Sequence, residues 1–487
     1  MPRFCLRPLC WVPSGAIRLV RLWLALPVAV YLLLPTRNYY WDGVAFAINV
    51  EKQLPPRDTL HPNHLIYTTA NVWLYHAVLL IGVKTRALFL MQFVNSLLGG
   101  ASVVLIYRAL RHREVSMQAG IAGALAFGFA ATWWRFATDA NAYISSIFLV
   151  LCANDLLETK RNAVLAGVAH AGAMLFHELA FLFLPIALFR LKEPKKALAY
   201  GGSSLTPVGI AYVLAYRTVF GRFDASGLLG WVTAHSPDAT FSYQPIRDFG
   251  LTLRGTLRLF FGGRLDQVKA EPFTIIGSTA LAVCIAALAL RWNRGRPRRF
   301  VAPPKDLLLW LAAYVAFLFF WMPQNTFYRL FYLAPLILIV CCAVRGARVD
   351  HFLPRLVCGA LFLWNLVFLI YPQSRVQNVP LQFALAQHDR WPPGTPIAFH
   401  DFHPDLWTIS YFNQQASWIG LDKLDLGRLE RSLSDARGRG QPLWLESTAY
   451  EFISANPDGR RWLASHGVAG LLHFKDPRHE FRFYELR

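Results

Sequence analysis

Residues 39–67 read YYWDGVAFAINVEKQLPPRDTLHPNHLIY, and the placement of this stretch decides the fold. It follows the first apolar run of the chain, residues 16–35, and it gathers Asp42, Glu51, Asp58, His61 and His64 beside Tyr39, Tyr40 and Trp41. Carboxylates, imidazoles and rings able to stack on sugars are chemical equipment rather than linker composition. Basic residues at the start of the chain (Arg3, Arg7, Arg18 and Arg21) put the N-terminus in the cytoplasm by the positive-inside bias. Residues 39–67 therefore face out. No small-x-small site follows Leu34, so the apolar run reads as a retained first helix rather than a signal peptide.

Working outward, the 487 residues are 55% hydrophobic with a mean hydropathy of +0.33, and only 16% are charged, against about 25% in soluble domains. Several apolar stretches reach the roughly 20 residues that a helix needs to cross a hydrocarbon core. The composition is that of a polytopic α-helical membrane protein. A net charge of +20 would suggest nucleic acid in a soluble chain. Here the arginines lie between apolar segments, where orientation and anionic membrane lipids account for them, and no nucleic acid partner is needed.

The second apolar stretch, residues 64–83, is poor in spanning character because it carries two histidines, one asparagine and two threonines. It reads as an amphipathic helix lying in the interface. With that choice, spans are expected over residues 16–35, 87–107, 117–134 and 143–157, then a pair of short arms within 163–188 that turn near His177 and Glu178. Further spans follow over 198–216, 273–290, 306–321, 330–344 and 352–371, about eleven in all. Outer loops fall at 36–86, 135–142 and 217–272, and the basic run RWNRGRPRR marks the cytoplasmic side. The short arms predict helices that are broken or tilted.

Residues 1–371 thus form a transmembrane module, and residues 372–487 a small extracytoplasmic α/β domain. In the latter, WPPGTPIAFHDFHPDLWTISYF and QPLWLESTAYEFI each read as a strand followed by a helix, and GVAGLLHFKDPRHEFRFYELR as two strands around an Asp-Pro turn. The seven cysteines lie in the N-terminal tail or within spans, which implies no disulfide framework. There is no internal repeat, P-loop, Rossmann glycine pattern or serine nucleophile elbow.

Asp42, Gly43 and Phe46 followed by His61 and Pro62 fit a first-loop pattern of Asp-small-x-x-Phe and His-Pro; Arg135, Asp139 and Tyr143 fill a second-loop Arg-x-x-acid-like pattern ahead of a Tyr, with the acid four positions after the arginine; Tyr328, Arg329, Tyr332 and Pro335 fit a later aromatic-Arg-x-x-Tyr-x-x-Pro pattern. In this order the features resemble the GT-C superfamily of polyprenyl-phosphate-sugar glycosyltransferases, which includes the protein mannosyltransferase and aminoarabinose transferase families. The likeness covers roughly residues 16–345. Two features depart from it. Asp-Gly stands where many members have paired acids, and Trp133 and Trp134 precede an arginine where oligosaccharyltransferases have Trp-Trp-Asp.

The resemblance implies an enzyme of a bacterial inner membrane that moves a sugar from a polyprenyl-phosphate-linked donor to an acceptor hydroxyl of a glycan, lipid or protein on the outer face. Such a transfer needs a carboxylate to take the acceptor's proton and cations to hold the leaving phosphate. Asp42 is the expected base, the alternative being a helix N-cap. Asp139 is the second catalytic candidate, the alternative being a solvated turn. Arg135 pairs with Asp139 or binds phosphate. Arg329 is an expected phosphate clamp, or else an arginine snorkelling to head groups. His61 and His64 are expected on the substrate side. His177 and Glu178 interrupt a strongly apolar stretch, so they line a cavity or form the outer turn. No cofactor is required; a divalent cation held by some of Asp42, His61, His64, His177 and Glu178 stays open. Two rival functions are a non-catalytic partner in envelope polysaccharide assembly and a secondary transporter, the latter disfavoured by the lack of related halves.

Overall fold

The structure, a computed structural model, describes residues 14–52, 54–233, 241, 243–263, 270–292, 301–345, 352–375, 378–477 and 479–487. Arg3, Arg7, Cys5, Cys10 and most of the basic run that begins at Arg291 lie outside the described residues. The chain divides into two compact units: residues 1–36 with 49–374, and residues 37–48 with 375–487.

The first unit is helical. Its longest apolar members are Ala87–His112, Pro194–Phe220, Pro272–Leu290 and a stretch beginning at Leu353. Among the described residues these four are long and apolar enough to cross a membrane, and a fifth crossing results if Ala131–Ala137 and Ala142–Glu158, bent by 109°, count as one. Other expected spans are shorter. The stretch 117–134, expected as one helix, is broken into Met117–Gly128 and Ala131–Ala137. The break leaves the Phe129 carbonyl exposed to an apolar interior, and the buried Asn365 amide donates to it at 2.8 Å. A helix interruption at membrane depth is tolerable when protein groups satisfy the freed backbone in this way. The pair of arms over 163–188 is likewise broken: Ala163–Phe176 ends at His177, a six-residue 3-10 turn follows, and Leu184–Arg190 resumes the helix. The stretch 64–83 holds a 14-residue helix, Tyr67–Leu80, too short to span.

Ala87–His112 is the axis of this unit. The Glu51 carboxylate accepts the Ala87 N–H at 2.7 Å and the Arg86 Nε–H at 3.0 Å, so an anion caps the positive end of the helix dipole. Gly100 lets the first helix, Ser14–Leu33, approach closely: a Cβ there would stand 1.8 Å from Val28 Cγ2. At the far end, Arg108 pairs with Asp155 (2.9 Å), Arg113 with Glu158 (2.7 Å) and Asp306 (2.8 Å), and Arg190 with Asp306 (2.7 Å). Every helix end in this ion cluster is one that the charge pattern assigns to the cytoplasm. Gln92 and Asn95 lie on the same helix, with 16 residues from Gln92 to Arg108, or about 24 Å at 1.5 Å per residue. What they hold is at the opposite end of the bundle.

The second unit is an α/β sandwich around a five-stranded sheet of order β2-β1-β3-β5-β4. The strands are β1 (Pro396–Phe399), β2 (Ser417–Gly420), β3 (Leu443–Glu446), β4 (Gly470–Lys475) and β5 (Glu480–Leu486). β1 runs parallel to both β2 and β3, whereas β5 is antiparallel to β3 and β4. Side chains alternate across a strand. Leu443 and Leu445 therefore join Leu429, Leu433 and Ile453 on one face, and Trp444 joins Trp391, Leu406 and Ile409 on the other. Both expected strand-helix pairs are present, and the terminal hairpin closes where Asp476 and His479 exchange bonds of 2.8 Å and 2.7 Å. Absent from the sequence reading were β2, whose SWIG is too short to show a period, and the helix Leu426–Gly438.

Residues 37–48 complete this unit. The Asn378 amide donates to Asn38 Oδ1 (3.1 Å), Tyr39 stacks on Phe412 (5.7 Å between centroids), and Trp41 leans on Trp407 (5.8 Å).

Candidate active site

In the first unit the site is built on a turn. After Ala137 the chain reverses through residues 138–141, and its carbonyls are collected by polar side chains of Ala87–His112. Gln92 donates to the carbonyls of Thr36 (2.9 Å) and Thr138 (3.0 Å), Asn95 to those of Asp139 (2.7 Å) and Asn141 (2.9 Å), and Ser96 to that of Ala137 (3.1 Å). Gln92, Asn95 and Ser96 share one helix face because they are three and four residues apart. The Thr36 N–H also bonds to the Thr138 carbonyl (3.3 Å), so the end of the first helical segment is tied to the same turn.

Asp139 is 1% exposed, and its Oδ1 accepts the Ala140 N–H at 2.8 Å. Tyr67 lies near it, and burial together with the Asp139 charge holds the phenol well above its ordinary range. Arg135 is half-buried, with its guanidinium 5.9 Å from the Phe136 ring.

Around the turn is a ring cluster. His64 meets His177 edge-on (4.8 Å between centroids) and lies 5.9 Å from Tyr143 and 6.2 Å from His61. Tyr143 is 4.8 Å from His177, which is also 5.6 Å from Tyr328 and 5.4 Å from Phe331. Two backbone features force this meeting. His61 caps the turn Pro62–His64 through its ring, and His177 caps the 3-10 turn after Ala163–Phe176 in the same way. Burial, and next the His61 charge, push His64 down to about 3, so it stays neutral at working pH and can donate a hydrogen bond but no charge. Glu178 faces the Tyr212 side, and the Tyr212 hydroxyl donates to the Pro62 carbonyl at 2.6 Å.

Three of the histidines expected from sequence thus gather with Tyr143, but as an aromatic cluster. Among the described residues no group of three or more His, Cys, Asp or Glu is arranged to hold a metal ion. Arg329 goes elsewhere. The turn Phe327–Arg329 directs Tyr328 to the ring cluster and buries Arg329 completely, with Nη1 donating to the Tyr332 hydroxyl (2.8 Å) and Nη2 to the Pro323 carbonyl (2.5 Å). A Cβ on Gly255 would stand 2.2 Å from Arg329 Nε.

In the second unit Asp42 occupies the first turn of Trp41–Lys52. Burial pushes its carboxyl up to about 6, against a hydrogen bond from Tyr40 that pulls it down. A carboxylate at that value is a better proton acceptor than an ordinary aspartate and is still ionised at neutral pH. Sequence reasoning missed Gln92 and Asn95, and it named Tyr143 and Tyr328 as motif positions without giving them a place in the site. The signal for the first two was present, as amides spaced three apart in an otherwise apolar helix.

No protein-family model matches the sequence, and neither does any curated protein. Solved structures do match. ArnT from Cupriavidus metallidurans bound to undecaprenyl phosphate superposes with a TM-score of 0.57 at 12% identity, covering 97% of this chain and 98% of that one. The chain has the fold of the GT-C superfamily. The Archaeoglobus fulgidus oligosaccharyltransferase tethered with an acceptor peptide, of the same superfamily, gives a TM-score of 0.43 at 11% identity over 97% of this chain and 74% of that one. GT-C proteins are integral membrane glycosyltransferases.

Proposed function

We propose that this protein is a membrane glycosyltransferase that moves a sugar from a polyprenyl-phosphate-linked donor to an acceptor hydroxyl on the outer face of a bacterial inner membrane, where its terminal α/β domain also lies. The observation that carries this reading is the end-to-end likeness to a protein bound to undecaprenyl phosphate, at 97% and 98% coverage.

In the proposed step the acceptor O–H gives its proton to Asp42, the freed oxygen pair attacks the anomeric carbon, and the bond from that carbon to the phosphate oxygen breaks, releasing polyprenyl phosphate. One base serves one in-line displacement, so inversion at the anomeric carbon is expected. Arg135, half-buried and on the Asp139 turn, is the favoured partner of the leaving phosphate. Arg329, whose guanidinium bonds to Tyr332 and Pro323, is the other candidate. Asp139 orients the turn, and His61 and His64 face the substrate, His64 as a neutral hydrogen-bonding group. His177 and Tyr143 hold the His64 ring, and Glu178 shapes the wall behind it. No step is routed through a metal.

Comparison of envelope glycans and lipid-linked sugars in a deletion strain and its parent tests the reading. Loss of one glycan with accumulation of its lipid-linked donor is expected. An unchanged glycan profile with no accumulated donor would overturn it.

A further inference from the structure

The unit containing the sheet carries a second constellation that the transfer chemistry does not use. β1 lies between β2 and β3. The helix after β1, Pro404–Phe412, packs on the face of Leu406 and Ile409, and the helix after β3, Ser447–Ala455, on the opposite face of Ala449 and Ile453. The chain thus departs to opposite sides from the carboxyl ends of two adjacent parallel strands. A divergence of this kind marks the crevice in which α/β sheets characteristically bind ligands.

The residues at this point are polar and organised. Glu446, 4% exposed, takes the Thr448 N–H at 2.7 Å and the hydroxyls of Ser447 and Thr448, and stands 4.0 Å from His403 Nε2. Thr448 Oγ1 in turn accepts the backbone N–H groups of His400 and Asp401, both at 3.1 Å, tying the β1 loop to the β3 helix. His400 is not part of the crevice, since its ring stacks on Phe452 at 3.8 Å and bonds to the Leu421 carbonyl. Asp405 is held by His479 Nδ1 at 2.9 Å. One turn along from His403, on the same side of the helix, Trp407 meets Trp41, which is 47% exposed. An accessible indole pair therefore adjoins a carboxylate and imidazole set.

We propose that the crevice between the carboxyl ends of β1 and β3 is a saccharide subsite, in which Trp407 and Trp41 stack on a pyranose face while His403, Asp401 and Asp405 take its hydroxyls. Aromatic faces bind the apolar faces of sugars, and charged groups bind vicinal hydroxyls by paired hydrogen bonds. Three carboxylates against one or two imidazoles select an uncharged sugar over an acidic one. Its assignment as the acceptor glycan rests on the transferase reading, because Asp42 directly follows Trp41; the saccharide site itself does not.

Saturation-transfer NMR on the full-length protein in lipid nanodiscs tests this. The probes are the methyl glycosides of glucose, mannose and N-acetylglucosamine, with methyl glucuronide as the acidic arm. Signal from at least one neutral glycoside is expected with wild type and with Asp42→Asn, weakened about tenfold in Trp407→Ala, reduced in His403→Gln and partly restored in Trp407→Phe. The proposal falls if no neutral glycoside gives signal, if Trp407→Ala and His403→Gln leave the signal unchanged, or if the glucuronide binds equally well. A positive signal alongside an unchanged glycan profile in the deletion strain would sink the transferase reading alone. Altered glycans without signal would sink the subsite alone.

Discussion

Asp42 is the residue on which the proposed chemistry turns. A base with a pKa near 6 is ionised at neutral pH and loses its acceptor form as pH falls through that value. Transfer by membranes containing the protein should therefore be level above about pH 7 and drop about tenfold per unit below 6. A rate that stays flat from pH 4.5 to 8 would exclude Asp42 as the base. Asp42→Asn should lower the rate by about 10²- to 10⁴-fold with the protein still in the membrane at normal levels. A non-catalytic partner carrying the same change would still complement a deletion. At Gly255, where a Cβ would collide with the buried Arg329 side chain, Gly255→Ala should destabilise the protein by about 1–3 kcal/mol, read as a lower unfolding temperature in detergent. What the sequence showed about single residues was their chemical type and sometimes their loop. Arg329 illustrates the gap: an arginine at a span end reads equally as a phosphate clamp or a head-group anchor, and only packing shows both of its Nη groups already engaged.

At the scale of elements, local pattern was legible wherever the partner of an element was close in sequence. The strand-helix pairs of the terminal domain and the Asp476 hairpin appear where alternation and turn residues put them. The break after Gly128 was not legible, because the group that makes it tolerable, Asn365, lies more than 230 residues away. The amide row on Ala87–His112 is the counterpart case, since its spacing is visible but its object is not. Asn95→Ala removes two of the bonds that hold the Asp139 turn, to the Asp139 and Asn141 carbonyls, and should cost about 1–3 kcal/mol. It should lower transfer while leaving the pH at which the rate falls unchanged. A shift in that pH would mean that Asn95 acts on the base itself.

For the molecule as a whole, the ion cluster and the Asp139 turn occupy opposite ends of one helix, and they should respond independently. Asp306→Asn removes the carboxylate that Arg113 and Arg190 share, leaving Arg113 to Glu158 and Arg190 without an ion pair among those described, and should lower stability by about 3–5 kcal/mol, measured by thermal unfolding, with transfer per folded molecule unaltered. Two effects of comparable size on stability, Asn95→Ala and Asp306→Asn, would then separate by activity. Composition alone revealed a helical chain with apolar spans, and motif order pointed to the GT-C fold. The grouping of residues 37–48 with residues 375–487 was hidden, because it joins segments more than 320 positions apart through stacked rings that have no periodic signature. That grouping has an evolutionary and practical consequence. The segment bearing the proposed base, residues 37–48, is seated on residues 375–487, so removing the latter, or exchanging them for those of another protein, would unsettle Asp42. Natural chimaeras of proteins with this fold should therefore inherit the two segments as a set.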